Sequence, residues 1–494
     1  MISSGPGYFT RALDLYKGEH NFGALKCSLL AIMRGPFRKA AWFLLIKSLA
    51  RLVLPAPLAE GLKAARRPAD LAADYVRYFR LRRGLAAARA AWQASGVRPE
   101  DGGGNILFIV RDMGLGGVTK VNLDIIKGLG GNPCLGGNPC PGGGPFRFIV
   151  AATSPGNNLW RGKFEACCRA VIVPERQMKD FGLWGAYFCR LVKTFDVRTV
   201  VVSNSYIGYH VLPRLRAIFP WVKTMDILHM EGMWGTTEAS KWTIPYLDKR
   251  VLISRTLKEQ MLKFYEGFGA GPADTARLEV IYNGADSVRF DPRAWKKGSF
   301  KARYGVPPGA KVISFIGRFS MQKLPCLFVD IANAVMAGMP EAGLRFVMAG
   351  DGEDMEEVRR TIRRYGLEDR FILTGALDED GVAGLLADTY LLLVASLNEG
   401  IPLVMFEAML MKVPVVCTDV GAIHEIMEDG RDGCLIRQDG GIVESYAAAV
   451  LDFLTGRLDR DEMGERARRR IAREYSMERM ARGYAEVFGG LHRA

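Results

Sequence analysis

"NILFIVRDMGLGGVTKVNLDIIKGL", residues 105–129, places an apolar run before a glycine-bearing turn and an amphipathic segment after it. The unbroken apolar run predicts a strand buried on both faces, and the spacing of apolar residues after the turn predicts a helix. A strand, a tight turn and a helix in this order form the opening unit of a doubly wound α/β domain with a parallel sheet.

The same alternation of apolar strand and helix continues along the chain. A first series of strands is predicted at 146–152, 170–174, 199–205, 223–229, 249–254 and 278–284, and a second at 311–317, 344–350, 370–375, 390–396 and 414–419. Two such domains in tandem leave a cleft lined by the carboxyl ends of strands from both, and ligands prefer such clefts. The predicted fold class is therefore α/β, with two Rossmann-like doubly wound domains facing a central cleft.

Changes in composition divide the chain into segments. They are a basic helical extension at 1–100, a first Rossmann-like domain at 101–292, a second Rossmann-like domain at 293–480, and a helical tail at 481–494. Residues 130–144, "GGNPCLGGNPCPGGG", are a tandem repeat with too little side-chain bulk to pack. We predict a flexible Gly/Pro insertion there.

The positive charge is concentrated at the N-terminus. Residues 1–100 contain 17 Lys and Arg against 6 Asp and Glu, which accounts for most of the net charge of +14 on the 494 residues. Basic helices rich in Trp, Phe and Leu can lie in a membrane interface, where Lys and Arg meet anionic lipid. We expect a cytoplasmic protein held peripherally on the inner face of the plasma membrane; the alternative is docked helices with a solvated charged face.

Several other classes of protein are disfavoured by the sequence. None of the 9 cysteines forms a CxxC pair or has histidines at zinc-finger spacing, which indicates reduced thiols. The sequence shows no signal-peptide pattern and no uncharged apolar run of about 18 residues, so no spanning helix is expected. The basic segment lacks a helix-turn-helix or RNA-binding signature, so no nucleic-acid partner is expected.

Two acids lie on either side of a predicted helix start in "NEGIPLVMFEA", residues 398–408. Glu399 lies in the loop after a strand, and Glu407 lies more than a turn inside the helix that Pro402 begins. The unpaired backbone amides at such a start form an anion site, while a flanking carboxylate suits hydroxyl groups better than phosphate. The pattern indicates a ligand with polyol parts joined through phosphates, such as a nucleotide sugar. The amides are those of Ile401, Leu403 and Val404.

Two cations follow a strand in "GRFSMQK", residues 317–323. Arg318 and Lys323 are five residues apart and can converge on one point, where they would neutralise a diphosphate and stabilise its charge as a leaving group. Cations in a loop are ordinarily just solvated. Beside a helix-start anion site on a neighbouring strand, they indicate a diphosphate site.

These segments resemble a known family. "GRFSMQK", "AGDGED" (349–354), "ILTGAL" (372–377), "NEGIPLVMFEAM" (398–409) and "VPVVCTDVGAIHEIMEDGRDGCLI" (413–436) resemble the C-terminal domain of retaining glycosyltransferases of family four, the glycosyl transferases group 1, which have the GT-B fold. "VIYNGADSVRFDP" (280–292) looks like that family's segment entering the interdomain linker. Glu399 and Glu407 match its E-x7-E motif. Lys412 stands where the family usually has glycine, which should alter only a helix end.

The resemblance implies a role for each matched residue. Glu407 would bind the ribose hydroxyls of the donor, and Glu399 would contact the donor sugar. Arg318 and Lys323 would hold the diphosphate, and His229, at a strand end in the first domain, matches a histidine that faces the reacting sugar. Glu399, His229, Arg318 and Lys323 are thus the expected catalytic residues. The other expected donor-binding residues are Gly400, Ile401, Pro402, Leu403 and Val404 beside Glu399, Gly375, Ala376 and Leu377 around the base, and Gly116 and Gly117 in the glycine-rich loop "GLGG".

The activity implied by the resemblance is transfer of a sugar from UDP-hexose or GDP-hexose to an acceptor hydroxyl with retention. The acceptor would be a glycan or a lipid-linked precursor of cell-surface polysaccharide, lipopolysaccharide or glycolipid. No cofactor is expected, because the nucleotide sugar is a substrate. Asp378 and Asp380 form a DxD pattern that binds metal in other glycosyltransferase folds. Here the pattern opens a helix, where Asp is a common N-cap, and cations already serve the phosphates, so we predict metal independence.

The sequence alone leaves three other functions open. A nucleotide-sugar epimerase can share this architecture, although no second histidine or acidic cluster is evident beside His229. A phosphorylase of this fold would normally need lysine-bound pyridoxal phosphate, for which no segment argues. A non-enzymatic binding module is supported by the basic charge alone.

Overall fold

The computed structural model describes residues 104–130, 146–156, 158–230, 240, 243–267 and 271–493. The basic helices expected in residues 1–100 lie outside this part of the chain. So does the predicted Gly/Pro insertion, apart from Gly130. Within the described residues, no helix has the length and hydropathy needed to cross a membrane.

The first domain is built on a seven-stranded parallel sheet in the order β3-β2-β1-β4-β5-β6-β7. All six residues of β1 are buried, because β1 lies between β2 and β4 and helices cover both faces of the sheet. This explains the unbroken apolar run in the sequence. The strands are β1 (Asn105–Val110), β2 (Arg147–Ala152), β3 (Ala170–Ile172), β4 (Val197–Ser203), β5 (Lys223–Leu228), β6 (Lys249–Leu252) and β7 (Leu278–Val280).

Polar side chains at the carboxyl edge of this sheet cap the N-termini of two helices of the domain. The Asp180 carboxylate accepts a hydrogen bond of 3.0 Å from Leu183 N, and Ser205 Oγ accepts one of 3.0 Å from Gly208 N. Such N-caps satisfy amides that the helix leaves unpaired. The helices of this domain are α1 (Gly117–Leu129), α2 (Arg161–Glu165), α3 (Phe181–Thr194), α4 (Tyr206–Ile218), α5 (Arg255–Gly267) and α6 (Pro272–Thr275), with a 3₁₀ turn at Ile244–Tyr246.

The second domain has a six-stranded parallel sheet in the order β10-β9-β8-β11-β12-β13. The sequence predicted five of these strands and missed β13, a three-residue edge strand. The strands are β8 (Lys311–Ile316), β9 (Leu344–Ala349), β10 (Phe371–Gly375), β11 (Thr389–Val394), β12 (Val415–Thr418) and β13 (Cys434–Ile436).

Helices cover both faces of the second sheet. They are α7 (Ser299–Arg303), α8 (Pro325–Gly338), α9 (Met355–Arg364), α10 (Glu379–Asp388), α11 (Leu403–Leu410), α12 (Ile423–Ile426), α13 (Ile442–Leu454) and α14 (Arg460–Glu474), with 3₁₀ turns at Pro292–Ala294 and Glu368–Arg370. The predicted fold class of two doubly wound parallel-sheet domains is confirmed.

The last helix, α15 (Met477–Arg493), returns to the first domain and packs on α1. Its Tyr484 and Phe488 are buried in the same apolar cluster as residues of β1 and β2. The predicted boundary at residue 480 falls inside this helix. Because α14 covers the second domain and α15 the first, the end of the chain ties the two domains together.

Candidate active site

In each sheet the strand order reverses between two neighbouring strands, which are β1 and β4 in the first and β8 and β11 in the second. Ligands of open α/β sheets bind outside the carboxyl ends of the strands at such switch points. The loop after β8 carries Arg318 and Lys323, and the loop after β11 carries Glu399. The fold therefore brings these side chains to one edge of the second sheet.

Glu399 is buried and held by two partners. Ser396 Oγ donates a hydrogen bond of 2.6 Å to Glu399 Oε1, and Lys323 Nζ forms an ion pair with the same oxygen. A buried carboxylate is costly unless its charge is paired, so the ion pair lets Glu399 remain at this position. The lysine ammonium has further N–H donors with which it can bind an anion.

The loop that carries Arg318 lies against two glycines of the "AGDGED" segment. Gly350 has φ +150° and Gly352 has φ +157°. A Cβ on Gly350 would lie 1.8 Å from Gly317 O, and one on Gly352 would lie 2.2 Å from Phe319 O. Glycine is therefore required for this close approach. Arg318 itself is exposed and makes no ion pair within the described part of the chain, so its guanidinium is available to an anion.

The start of α11 provides unpaired backbone amides beside Glu399. Pro402 is the N-cap of α11 rather than its first helical residue, and Glu407 lies more than a turn inside the helix, as predicted. The amides of Ile401, Leu403 and Val404 have no backbone acceptor among the described residues. Together with the positive end of the helix dipole, these amides form a site suited to an anion.

Glu407 lies in a cluster of charges that joins the two domains. The Nζ of Lys120, on α1 of the first domain, lies 3.9 Å from Glu407 Oε1 and 2.8 Å from Glu379 Oε1. Lys163, also in the first domain, pairs with Glu379 Oε2 at 2.5 Å, and Asp124 lies 3.9 Å from Lys120. The first domain therefore contributes cations to the site around the buried Glu407.

Burial and mutual charge shift the pKa of each member of this cluster. Burial raises the pKa of Glu407 to about 7, against the attraction of Lys120. Burial likewise raises the pKa of Asp124 to about 6. Burial also disfavours ionised Glu379, but Lys120 and Lys163 outweigh it and lower that pKa to about 2. Lys120 stays protonated, because three carboxylates offset its burial and raise its pKa above the usual range. Near neutral pH, Glu407 and Asp124 are therefore the members of the cluster that titrate.

His229 follows β5 and lies where the two domains touch. Its Nε2 is 3.0 Å from Ser203 Oγ at the end of β4. A Cβ on Gly400 would lie 1.9 Å from His229 O and 2.9 Å from Ile253 Cδ1, so Gly400 of the second domain packs directly on the first. Burial lowers the pKa of His229 to about 4, which leaves its imidazole neutral at pH 7.

The glycine-rich loop after β1 lies opposite the start of α11. Gly116 and Gly117 are exposed, and a Cβ on Gly117 would come within 3.8 Å of Leu403 Cδ1 across the cleft. At the end of β10, Gly375 has φ +72°, which favours glycine, and its carbonyl accepts a hydrogen bond of 2.9 Å from Gly350 N. Ala376 and Leu377 follow it.

The DxD pattern has structural partners. Asp378 is the N-cap of α10 and accepts a hydrogen bond of 2.8 Å from Gly381 N, while Asp380 pairs with Arg289. In the described residues, no group of three or more His, Cys, Asp or Glu is arranged to hold a metal ion. Metal independence stays a prediction.

The charge cluster of Lys120, Lys163 and Glu379 was not predicted from the sequence. Glu379 stands between the two aspartates of "LDED", which we considered only as a metal pattern and as a helix N-cap. A signal for Lys120 was present, because it lies four residues before Asp124 on one face of a predicted helix. The contact of both lysines with the second domain has no local signal, since it depends on how the domains pack.

A second polar contact joins the domains through Glu425. Its Oε1 accepts a hydrogen bond of 2.6 Å from Thr256 N, and its Oε2 accepts one of 3.1 Å from Arg255 N and another from the Tyr282 hydroxyl. A carboxylate of the second domain thus binds the first amides of α5 in the first domain. The domains are held at this contact and at the Lys120 cluster.

Comparison with known protein families locates the best-matched part of the chain. The family described as "Glycosyl transferases group 1" matches residues 310–456. This range contains β8 to β13, the two site cations and both acids of the E-x7-E motif.

Two curated relatives match a similar share of the chain. N-acetyl-alpha-D-glucosaminyl L-malate synthase of Bacillus anthracis is 27% identical over 213 residues, which are 43% of this chain and 53% of that protein. The lipopolysaccharide core biosynthesis mannosyltransferase LpsB of Rhizobium meliloti is 28% identical over 219 residues, which are 43% of this chain and 61% of that protein. The chain spans little more than half the length of these relatives.

A solved structure extends the likeness to both domains. HepE of Anabaena, crystallised in complex with UDP-glucose, aligns with a TM-score of 0.64 and 18% identity over 78% of this chain and 99% of that chain. At this identity the likeness concerns the fold. Together with the two parallel sheets, it confirms the GT-B fold that the resemblance implied.

Proposed function

We propose that this protein is a retaining glycosyltransferase that moves a hexosyl group from UDP-hexose or GDP-hexose to an acceptor hydroxyl. The observation that carries the proposal is the arrangement around the start of α11. One buried acid, Glu399, pairs with Lys323 ahead of the helix, a second buried acid, Glu407, lies inside it, and unpaired amides lie between them. A nucleotide sugar has a diphosphate between two polyols, and this arrangement matches that order of groups.

Each part of the donor has a matching group in this arrangement. The diphosphate would bind Arg318, the remaining donors of Lys323 and the amides of Leu403 and Val404. The ribose hydroxyls would donate to Glu407, and hydroxyls of the donor sugar to Glu399. The base would lie near Gly375, Ala376 and Leu377, and the glycine-rich loop would approach from the first domain.

The chemical step breaks the bond between the anomeric carbon and the diphosphate oxygen, and the electron pair leaves with the nucleoside diphosphate. The two cations and the amides stabilise that charge as it develops. The acceptor oxygen bonds to the anomeric carbon on the same face, and its proton passes to the departing diphosphate oxygen. A neutral His229 suits this step, because an imidazolium beside the reacting sugar would repel the positive charge that develops on it.

The proposed activity includes three further properties, which are retention of the anomeric configuration, a hexose donor and independence from metal. The E-x7-E resemblance supports retention, and the cations already at the diphosphate position support metal independence. Measurement of the anomeric configuration of the product, and of turnover in excess chelator, tests these two features directly.

We also propose that the acceptor is a glycan or lipid-linked precursor of a cell-surface polysaccharide, lipopolysaccharide or glycolipid. The likeness to the mannosyltransferase LpsB and the basic charge of residues 1–100 support this pathway. The basic segment, which lies beyond the described residues, would hold the protein on the cytoplasmic face of an anionic membrane.

Flotation with anionic liposomes tests the membrane proposal. A full-length variant with Arg38, Lys39, Lys47 and Arg51 replaced by glutamine should float less than the original chain. Equal flotation of the two proteins would contradict the proposal.

Sugar transfer by the purified protein tests the activity. A thermal-shift panel of nucleotide sugars identifies the donor, since a ligand that binds only the folded state raises the melting temperature. Arg318→Ala and Glu407→Gln should then abolish transfer, while Arg161→Gln, which removes an exposed cation of the first domain, should not. Normal transfer by the first two variants would contradict the proposal. Isomerised donor formed without acceptor would instead identify an epimerase.

A further inference from the structure

Three aromatic rings are exposed and in mutual contact at the carboxyl edge of the first sheet. Phe181 is the first residue of α3, Tyr206 is the first residue of α4, and His210 lies one turn further along α4. The His210 ring centroid is 4.6 Å from that of Phe181 and 4.4 Å from that of Tyr206, and the other two are 6.0 Å apart. We refer to these three residues as the aromatic platform.

The aromatic platform is not part of the hydrophobic core. Phe181 is 42% exposed and Tyr206 is 43% exposed, although they touch each other, and His210 is also exposed. Tyr206 and His210 are at i and i+4 and therefore share one face of α4. Exposed aromatic rings that touch one another form a contiguous apolar surface, and such a surface is a candidate binding site.

The aromatic platform lies close in the chain to a strand end at the candidate active site. Ser203, at the end of β4, lies 3.0 Å from Nε2 of His229. Tyr206 follows three residues later, so its Cα lies within about 11 Å of that of Ser203. Between them, Asn204 has φ +51°, a left-handed conformation that is uncommon for a non-glycine residue and clusters at functional sites.

We propose that the aromatic platform is a stacking subsite for a pyranose ring of the acceptor. This inference rests on the proposed function and names the class of acceptor, which is a glycan that extends beyond its reacting hydroxyl. One face of a pyranose carries axial C–H bonds, and their partial positive charge is attracted to the negative face of an aromatic ring. The first domain would thereby hold the acceptor beside His229, while the second domain holds the donor.

The surroundings of the platform favour a sugar over an acyl chain. Next to Phe181, Asp180 caps α3 with its carboxylate, and Arg214 donates a hydrogen bond of 3.1 Å to Gly182 O. Asn204, which lies between Ser203 and Tyr206 in the chain, adds a half-buried polar residue. An acyl chain needs a continuous apolar groove, whereas a sugar ring needs an aromatic face with a polar rim that can meet its hydroxyls.

The binding of saccharides to the full-length protein tests this inference. Saturation-transfer difference NMR with methyl hexopyranosides and maltose should show binding to the unmodified chain. Tyr206→Ala and His210→Ala should each weaken binding about fivefold or more, the scale of one lost aromatic contact, while Tyr206→Phe retains it. Trp221→Ala is the matched control, since Trp221 is 56% exposed but precedes β5 and so lies at the opposite edge of the same sheet.

Equal saccharide binding by Tyr206→Ala and the unmodified chain would overturn the inference, and so would loss of saccharide binding in Trp221→Ala. Binding of the unmodified chain to sugar-free lipid vesicles that disappears in Tyr206→Ala would show that the platform binds lipid instead. If Tyr206→Ala fails to fold, Phe181→Leu is measured in its place, with the same expected weakening.

Donor binding separates this inference from the proposed function. The melting-temperature shift produced by the donor should be the same in Tyr206→Ala and in the unmodified chain. If no nucleotide sugar shifts the unmodified chain, the proposed function fails. If a nucleotide sugar shifts it but no saccharide binds, the aromatic-platform inference alone fails.

Discussion

Replacement of Lys120 by methionine should shift the pH dependence of donor binding upward. The pKa of Glu407 is about 7, and Lys120 Nζ lies 3.9 Å from Glu407 Oε1. Ribose hydroxyls donate to the ionised carboxylate, so donor affinity should increase as the pH rises through about 7. Removal of the lysine charge makes ionisation of Glu407 harder and therefore moves this inflection to higher pH.

The distance sets the size of the shift. At 3.9 Å the attraction is about 4 kcal/mol for an effective dielectric constant near 20 and about 1 kcal/mol for that of water. With about 1.4 kcal/mol per pKa unit, the inflection should move upward by roughly one to three units. At pH 7 the ionised fraction of Glu407 then falls from about half to about a tenth or less, and affinity falls about fivefold or more.

Isothermal titration calorimetry with the nucleotide sugar that binds, at pH 5.5 to 10 in steps, measures this shift. A sugar ester of a nucleoside diphosphate adds no phosphate titration in this range, but its uracil or guanine base loses a proton at the alkaline end. Glu407→Gln is the control: it should bind weakly and show only the inflection of the base, so any further inflection in the unmodified chain reports the protein. Because Asp124, with a pKa of about 6, shares Lys120, the measured value belongs to the cluster rather than to one residue.

Two results would refute this reasoning. One is an inflection that stays near pH 7 in Lys120→Met. The other is a loss of affinity that is equal at all pH values, since that would reveal a contact of Lys120 that does not act through the charge of Glu407.

Three further changes have defined outcomes. Gly400→Ala should abolish transfer because its Cβ would lie 1.9 Å from a carbonyl oxygen of the first domain, whereas Gly384→Ala, with nothing within 4 Å, should leave transfer intact in the same assay. Glu407→Gln should stabilise the fold by up to about 3 kcal/mol at pH 8 and little at pH 4, as urea unfolding can measure. The sign follows because the folded pKa of about 7 lies above the ordinary glutamate pKa of 4.5. The unmodified chain is most stable below pH 4.5 and loses stability as the pH rises through 7. Lys323→Met should cost about 3 kcal/mol by leaving Glu399 buried without its cation, and adding Glu399→Gln should restore most of that stability but not the activity. Sugar transfer by Gly400→Ala would contradict the first prediction, and equal stability of Glu407→Gln and the unmodified chain at pH 8 would contradict the second. The third would be contradicted if the stability losses of Lys323→Met and Glu399→Gln simply added in the double variant.

The fold was predictable because its signals are local. Buried parallel strands give unbroken apolar runs, such as β1, and helices between them force a parallel sheet. The edge strand β13 was not predicted, because three residues are too few to show a periodic pattern. Lys412 adopts φ +60° after α11, in agreement with the expectation that a lysine at a usual glycine position alters only a helix end.

The site residues that could be predicted are those in loops directly after a strand. Glu399, Arg318 and Lys323 each follow a strand, so the sheet topology alone brings them together. The contacts of Lys120 with Glu379 and Glu407 could not be predicted in this way, since these residues are far apart in sequence and belong to different domains. The pKa of Glu407 depends on the same packing and has no sequence signal of its own.

A crystal structure of the protein with its nucleotide sugar would show whether Glu407 binds the ribose. Both ribose hydroxyls should lie within hydrogen-bond distance of the Glu407 carboxylate, with the diphosphate between Arg318, Lys323 and the amides of Leu403 and Val404. A nucleotide bound with its ribose away from Glu407, or bound outside the cleft between the two sheets, would contradict this expectation.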